Sequence, residues 1–372
     1  ACPPKRTLAA PHRPGHLGRN SRIDSNLSIR SVRPEVRGRG DKVPDIAALR
    51  SLTGDTPDPS APDRMVVASA RDTDAYEAAV AGIHIKAVKV GQGAGPNTVL
   101  AVRGDRFVAT AAEIGFPIDT RTVIEPDAVI VAHVISALPG SRWCEIDLRP
   151  GMALLYAPDV EHTGLNREGL RFEFVAADRR DLVKLAGNLG REFVPPPAGH
   201  VTVLDPSSSV GAVVTALSTV VDDARHGVAP GIDSNDDLLG ALLRVTSTAP
   251  SARNVSRRND RLDSRRIVLS CIDYAEAVGR LPTIEELCLA AIVSARRLRY
   301  AFADVYGTSP SRFFRMWALN RMHCELLRRE PGTVLIRSVA RSVGFAHDGR
   351  LAQRYQQLFG ETPRETLSRP AD

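Results

Sequence analysis

The chain is poor in the residues that usually announce a catalytic or metal-binding protein. Its five cysteines, Cys2, Cys144, Cys271, Cys288 and Cys324, stand far apart and form no C-x-x-C pair. Neither a structural zinc site nor a disulfide framework is therefore expected, and reduced thiols are. No run of 18 apolar residues occurs, so no membrane span is expected. The opening "ACPPKRTLAAPHRPGHLGRN" lacks the apolar stretch of a signal peptide, and a cytoplasmic protein is the expectation that follows. There is no G-x-S-x-G, no Walker-type loop and no paired Cys and His of reactive spacing. No enzymatic activity and no cofactor are expected. The glycine cluster "GQGAG" (91–95) reads as a turn between strands.

Lysine is absent from residues 251–372, where all 21 basic residues are arginine. The charge is also unevenly spread. Residues 1–60 are net +5, residues 61–250 net −7 and residues 251–372 net +8. A basic end beside an acidic body points to a polyanionic partner for that end alone.

Composition divides the chain into four parts. Residues 1–60 are rich in Arg, Pro, Ser and Gly and poor in aromatics, and they read as a disordered tail. Residues 62–200 form a β-rich domain. Apolar, β-branched runs at 83–90, 106–114, 127–135, 152–157 and 171–176 recur between Gly and Pro turn signals, which suits a barrel or sandwich. A short helix over 178–190 follows, stopped by Gly190, and "VPPPAGH" (194–200) breaks the chain. Residues 201–260 hold two helical segments, 208–224 and 236–246, and a polar linker. Residues 261–372 are helical throughout. There, Ile267, Cys271, Tyr274 and Val278 share one helix face, Gly279 suits a helix stop, and Thr283 with Glu286 forms a capping box.

This last part contains a repeat. "LRYAFADVYGTSP" (298–310) and "LAQRYQQLFGETP" (351–363) align at a constant offset of 53, pairing Leu298 with Leu351, Phe302 with Tyr355, Tyr306 with Phe359, Gly307 with Gly360 and Pro310 with Pro363. A short apolar helix precedes each copy. The first carries Ile284, Leu287 and Cys288, and the second Ile336, Val339, Ala340 and Val343. Each copy is thus helix, tight turn, helix, closed by a glycine stop and a proline, which is a helix-turn-helix arrangement. The small residues Cys288 and Ala340 let the second helix cross the first closely. Gly344 frees the second turn and Phe345 plugs it.

Each second helix buries one stripe and leaves the opposite face open. In the first copy that face offers Ser294, Arg296, Arg297, Arg299 and Tyr300, and in the second His347, Asp348, Gly349, Arg350, Gln353 and Arg354. Arginine can donate two hydrogen bonds to guanine and glutamine can pair twice with adenine, while Ser, His and Arg can hold phosphates. Asp348 can accept from cytosine N4 or cap its own helix. The stretch 311–330 reads as one linker helix whose Phe313, Met316, Trp317, Cys324 and Leu327 span about a 100° arc. It would set the spacing of two reading helices against the roughly 34 Å turn of duplex DNA.

These residues resemble the AraC/XylS family of bacterial transcriptional regulators. The resemblance covers 263–367 and rests on "TIEELCLAAIVSARRLRYAFADVYGTSP", the linker helix and "VARSVGFAHDGRLAQRYQQLFGETP". "GRLAQRYQQLFGETPRETL" is similar to a subgroup that includes ethanolamine-operon regulators. The resemblance implies a multidomain α+β protein with a cupin-like N-terminal barrel and a C-terminal all-α domain of two helix-turn-helix units. It implies promoter DNA as partner, a small-molecule effector or homodimerisation through the N-terminal domain, and RNA polymerase if the protein is an activator. One departure concerns the first turn, where the family usually has glycine and this chain has Ile292; a β-branched residue is disfavoured at positive φ. Two alternatives remain open. A cupin-type metal enzyme would need His133, Glu145, Glu161 and His162 to converge, although they lack H-x-H spacing. A DNA-binding structural protein indifferent to sequence would share the basic end.

Overall fold

A computed structural model describes residues 65–369 apart from 81–82, 94, 145, 157, 159–160, 196–200, 248–258, 330–334 and 346–348. The tail expected over residues 1–60, and most of the linker before residue 260, lie outside the described residues.

The first half is built from antiparallel strands in two sheets. The seven-stranded sheet runs in the order β1 (Met65–Ala70), β3 (Asn97–Arg103), β4 (Phe107–Glu113), β11 (Arg171–Asp178), β6 (Ala128–Ser136), β9 (Ala153–Leu155) and β12 (Thr202–Leu204). The five-stranded sheet runs β2 (His84–Lys89), β5 (Ile118–Val123), β10 (Glu161–Asn166), β7 (Arg142–Trp143) and β8 (Ile146–Asp147). Among the described residues no ladder joins the two sheets, so the expected cupin-like barrel is not closed; the strands stack as a sandwich. Each of the five apolar runs named from the sequence contains a strand. Others, such as β5 with Asp119, Thr120, Arg121 and Thr122, are too polar to stand out in the sequence.

Alternation along the strands gives each sheet two faces. Ile114, Phe116, Ile118, Ile130, Leu154 and Phe174 fill the space between the sheets, together with Tyr76 from α1 (Thr73–Ala79). The outer face of the large sheet carries Val102, Val131, Leu155 and Val175. These pack on Val213, Leu217, Leu238 and Leu242 of α3 (Ser208–Arg225) and α4 (Ile232–Ser247). Helix α2 (Arg179–Asn188) ends before Gly190, which takes φ 63° as a helix stop requires.

The second half is helical. Its elements are α5 (Asn259–Val278), α6 (Ile284–Ala291), α7 (Ala295–Tyr306), α8 (Pro310–Leu327), α9 (Ile336–Ser342), α10 (Leu351–Phe359) and α11 (Pro363–Leu367). Leu287, Leu298, Phe302, Phe313, Phe314, Trp317, Met322 and Tyr355 form one core. On α5 the buried set is Ile267, Val268, Cys271, Ile272 and Ala275, whereas Tyr274 is only partly buried. Helix α8 is enclosed more widely than the expected arc. Phe314, Ala318, Leu319, Met322 and Leu326 are buried as well, because helices and β2 surround it.

The outer face of the small sheet meets this helical core. Val88 and Val90 join its apolar contacts. The Asn320 side chain exchanges two hydrogen bonds with the Lys89 backbone, at 3.0 and 2.9 Å. Arg121 pairs with Asp273 of α5 at 2.8 Å, and Arg328 of α8's end pairs with Asp74 of α1 at 3.0 Å.

Candidate nucleic-acid interface

Helix α7 begins because Ser294 caps it: its Oγ accepts from the Arg297 amide at 3.3 Å. Ser294, expected to face DNA, is therefore also structural. Leu298, Ala301 and Phe302 turn inward and are buried. Arg296, Arg299 and Tyr300 are exposed on the opposite face, and Arg297 is partly buried. The Arg296 guanidinium lies over the Tyr300 ring, 5.7 Å from its centroid, which stiffens both side chains through a cation–π contact.

Helix α10 repeats the plan. Tyr355 and Leu358 are buried, Gly349, Arg350 and Gln353 are exposed, and Arg354 is partly buried. The helix starts later than Asp348, with Arg350 at its N-cap position and no side-chain cap there. His347 and Asp348 lie outside the described residues. Gln357 was not among the residues expected on this face. It is exposed one turn beyond Gln353, and the i, i+4 spacing that places them together was the available signal.

The two helices end alike. Gly307 and Gly360 take φ 65° and 81°, the left-handed conformation that closes a helix without a Cβ clash. Two residues later Ser309 and Thr362 cap the next helix, with Pro310 and Pro363 at its first turn. This is the 53-residue repeat realised in backbone geometry.

The helices that brace α7 and α10 are held differently. Helix α6 starts with a complete capping box, Thr283 with Glu286. Arg280 donates to Glu286 at 2.6 and 3.1 Å, and the Thr283 amide donates to it as well; these bonds hold its carboxyl down at about 2. The turn after α6 puts Ile292 at φ 55°, ψ 46°, with its side chain 91% exposed. The turn thus keeps the left-handed geometry in spite of its β-branched residue. After α9, Gly344 takes φ 100° and packs so closely on Leu281 that a Cβ would lie 2.7 Å from the Leu281 Cβ. Phe345 is buried behind it, as expected of a plug.

A buried hydrogen-bond chain ties the linker helix to α10 and α11. His323 Nδ1 meets Tyr355 Oη at 2.5 Å, Tyr355 donates to Thr366 Oγ1 at 2.8 Å, and Thr366 donates to Glu361 at 2.7 Å. Burial pushes His323 down to about 3, so the ring is neutral and its Nδ1–H donates into the chain.

The metal set weighed from the sequence is not assembled among the described residues. Glu161 is bonded to Arg121, His162 stacks on Tyr156, and His133 lies near Glu173 on the large sheet. Glu145 is outside the described residues. No described group of three or more His, Cys, Asp or Glu could hold a metal ion. No described helix is long and apolar enough to cross a membrane.

Comparison with known proteins finds similarity within the second half. A helix-turn-helix domain family matches residues 287–369. A probable thc operon regulatory protein of Rhodococcus erythropolis is 34% identical over 102 residues, 27% of this chain and 31% of that protein. XylDLEGF operon transcriptional activator 2 of Pseudomonas putida is 36% identical over 93 residues, 25% of this chain and 59% of that protein. The chain thus spans about a third to three-fifths of the length of these relatives. The AraC-like transcriptional activator CuxR aligns over 68% of this chain and 93% of its own at 11% identity and a TM-score of 0.35, too low to carry an argument. Residues 287–369 are thus a helix-turn-helix domain, shared with regulators of transcription.

Proposed function

We propose that the chain is an AraC/XylS-type transcriptional regulator that binds promoter DNA by sequence, with α7 and α10 reading successive major grooves. The reading rests most on one observation: two helices built alike, 53 residues apart, each buried on one side and carrying exposed Arg, Gln or Tyr on the other. Arg296, Arg299 and Tyr300 would read one half-site. Arg350, Gln353 and Gln357 would read the other, with Arg297 and Arg354 on phosphates. Helix α10 has no side-chain cap, and its first amides suit a phosphate oxygen. His347 and Asp348 join this face by sequence position. Such a protein works in the cytoplasm beside the chromosome, as a homodimer, and meets RNA polymerase if it activates. The similarity of residues 349–367 to ethanolamine-operon regulators offers one functional analogy.

A small-molecule effector of the sandwich would have to open its interior, which as it stands has room for about one water. The space between its sheets holds a cavity of about 20 Å³ lined by Tyr76, Thr110, Trp143, Tyr156 and Phe174. Thr110 Oγ1 and Trp143 Nε1 are buried there without a hydrogen-bond partner. A single water fits beside these groups, and a larger ligand would reach them only if the sheets moved apart. Titration calorimetry with a metabolite panel tests this part.

Gel shifts of the full chain on its own promoter region, with Arg299→Ala and Arg350→Ala, test the main reading. Each variant should lose about 5- to 100-fold in affinity, as a bidentate base contact predicts. Unchanged affinity in both at moderate salt would refute it. Equal competition by unrelated DNA would instead mark a structural binder indifferent to sequence.

A further inference from the structure

The outer face of the small sheet carries a carboxylic acid where a water-facing residue would be ordinary. Asp119 lies on β5, with Val88 of β2 and Leu165 of β10 at its register. Its neighbours Ile118 and Thr120 face the sandwich interior, so Asp119 faces the helical half, where it is buried. Tyr306, the last residue of the first reading helix, donates its hydroxyl to Asp119 Oδ2 at 2.7 Å. Arg142 of β7 reaches the same helix end, donating to the Asp304 carbonyl at 3.0 Å. A cavity of about 30 Å³, room for one or two waters, opens beside the pair. These bonds join the sandwich to the end of α7 itself.

We propose that Asp119 is a proton-operated latch through which the β-sandwich holds the first reading helix. The inference rests on α7 being a reading helix. The groups facing Asp119 are Arg121 on its own strand, Glu161 of β10, Arg265 of α5 and Tyr306 of α7. Arg142 and Cys144 from the β7 end and Asp304 from α7 line the adjoining cavity. Arg121 is already engaged by Glu161, Asp273 and Glu276. The arginines and the Tyr306 bond favour the carboxylate, but burial outweighs them and pushes the acid up to about 7.

This burial comes from docking, because Asp119 lies on the face that the helices cover. Undocked, it would titrate near its ordinary 3.8. The docked form therefore holds a proton that the undocked form has lost between about pH 4 and 7. Docking is strongest at the acid end of that window and weakens as pH rises through 7. From pH 6 to pH 8 the docked-to-undocked ratio falls by about tenfold.

Hydrogen exchange of the full chain without DNA reads the latch directly, corrected for the intrinsic pH dependence of exchange. In the wild type, protection over 118–122 and 302–306 should fall by up to about tenfold between pH 6 and 8. Asp119→Asn keeps an acceptor for Tyr306 and cannot ionise, so it should lose the share of this pH dependence that Asp119 contributes. That variant also leaves Glu77 in place, which burial raises to about 7 as well, so the difference isolates Asp119. Tyr306→Phe should lose protection at both pH values. The same pH profile in wild type and Asp119→Asn would overturn the latch. Promoter binding by gel shift is the separate arm: its absence at every pH would overturn the regulatory reading while leaving the exchange result to decide the latch.

Discussion

Replacing Ile292 by glycine should make the protein more stable, although it deletes a large hydrophobic side chain. Ile292 sits at φ 55°, ψ 46°, the left-handed region. An L-residue pays about 1–2 kcal/mol there, and β-branching puts isoleucine toward the upper end. With the side chain 91% exposed, almost no apolar burial is lost on deleting it. The turn's own bonds, Ile292 N to Leu289 O and Val293 N to Cys288 O, involve backbone only and survive the change. Against the relief stands glycine's greater unfolded-state entropy, about 0.5–1 kcal/mol. The net expectation is a gain of about 0.5–1 kcal/mol. Trp143 and Trp317 are the only two tryptophans, so a Trp143→Phe background lets Trp317 fluorescence follow the helical half. At an m-value of about 2 kcal/mol/M the urea midpoint should rise by about 0.25–0.5 M. Ile292→Ala, which keeps the left-handed cost but sheds the branch, should fall between. A lower midpoint for Ile292→Gly would refute the reasoning and show that the side chain contributes more than its exposure allows.

Three further outcomes follow from the same half of the molecule. Gly344→Ala forces a Cβ to within 2.8 Å of the Leu281 nitrogen at φ 100°, and should cost roughly 3 kcal/mol in denaturant unfolding. Tyr355→Phe removes the middle of the buried chain and strands His323 Nδ1–H; a loss of about 1–3 kcal/mol in the same assay is expected. The Glu286 carboxyl is held at about 2 against an ordinary 4.5. Its contribution should be complete above pH 4.5 and disappear as pH falls toward 2, which carboxyl NMR and amide protection at the start of α6 can follow together.

The C-terminal half was legible because its signals are local. Glycine stops, Ser or Thr caps and prolines act within four residues, so their spacing survives as a pattern in the sequence. The capping box at Thr283 and the helix stop at Gly279 needed nothing from the rest of the fold, and both are present. Less was visible where the environment comes from distant chain. Asp119 reads as an ordinary surface acid within the polar run of β5, and it is covered from distant chain, by the α5 side and by Tyr306 of α7, 187 residues later. The second face of α8 was missed for the same reason. Phe314 and Met322 lie outside the stripe expected of a helix packed on one side, and α8 packs on several. The open sandwich could not be told from a barrel, since closure depends on edge pairing rather than on the pattern of any one strand.

The Asn320 amide occupies both backbone groups of Lys89, and Glu77 accepts from the Ala87 amide at 2.6 Å on the same strand. These groups belong to the outer margin of β2, which among the described strands pairs with β5 alone. Glu77 belongs to α1 and stays with the sandwich, so drawing the C-terminal helices away would bare the Lys89 amide and carbonyl, an unpaired stretch of edge on which a strand from another molecule could add. The two halves therefore cannot part without cost to solubility, and any partner that separates them would do best to cover that margin itself.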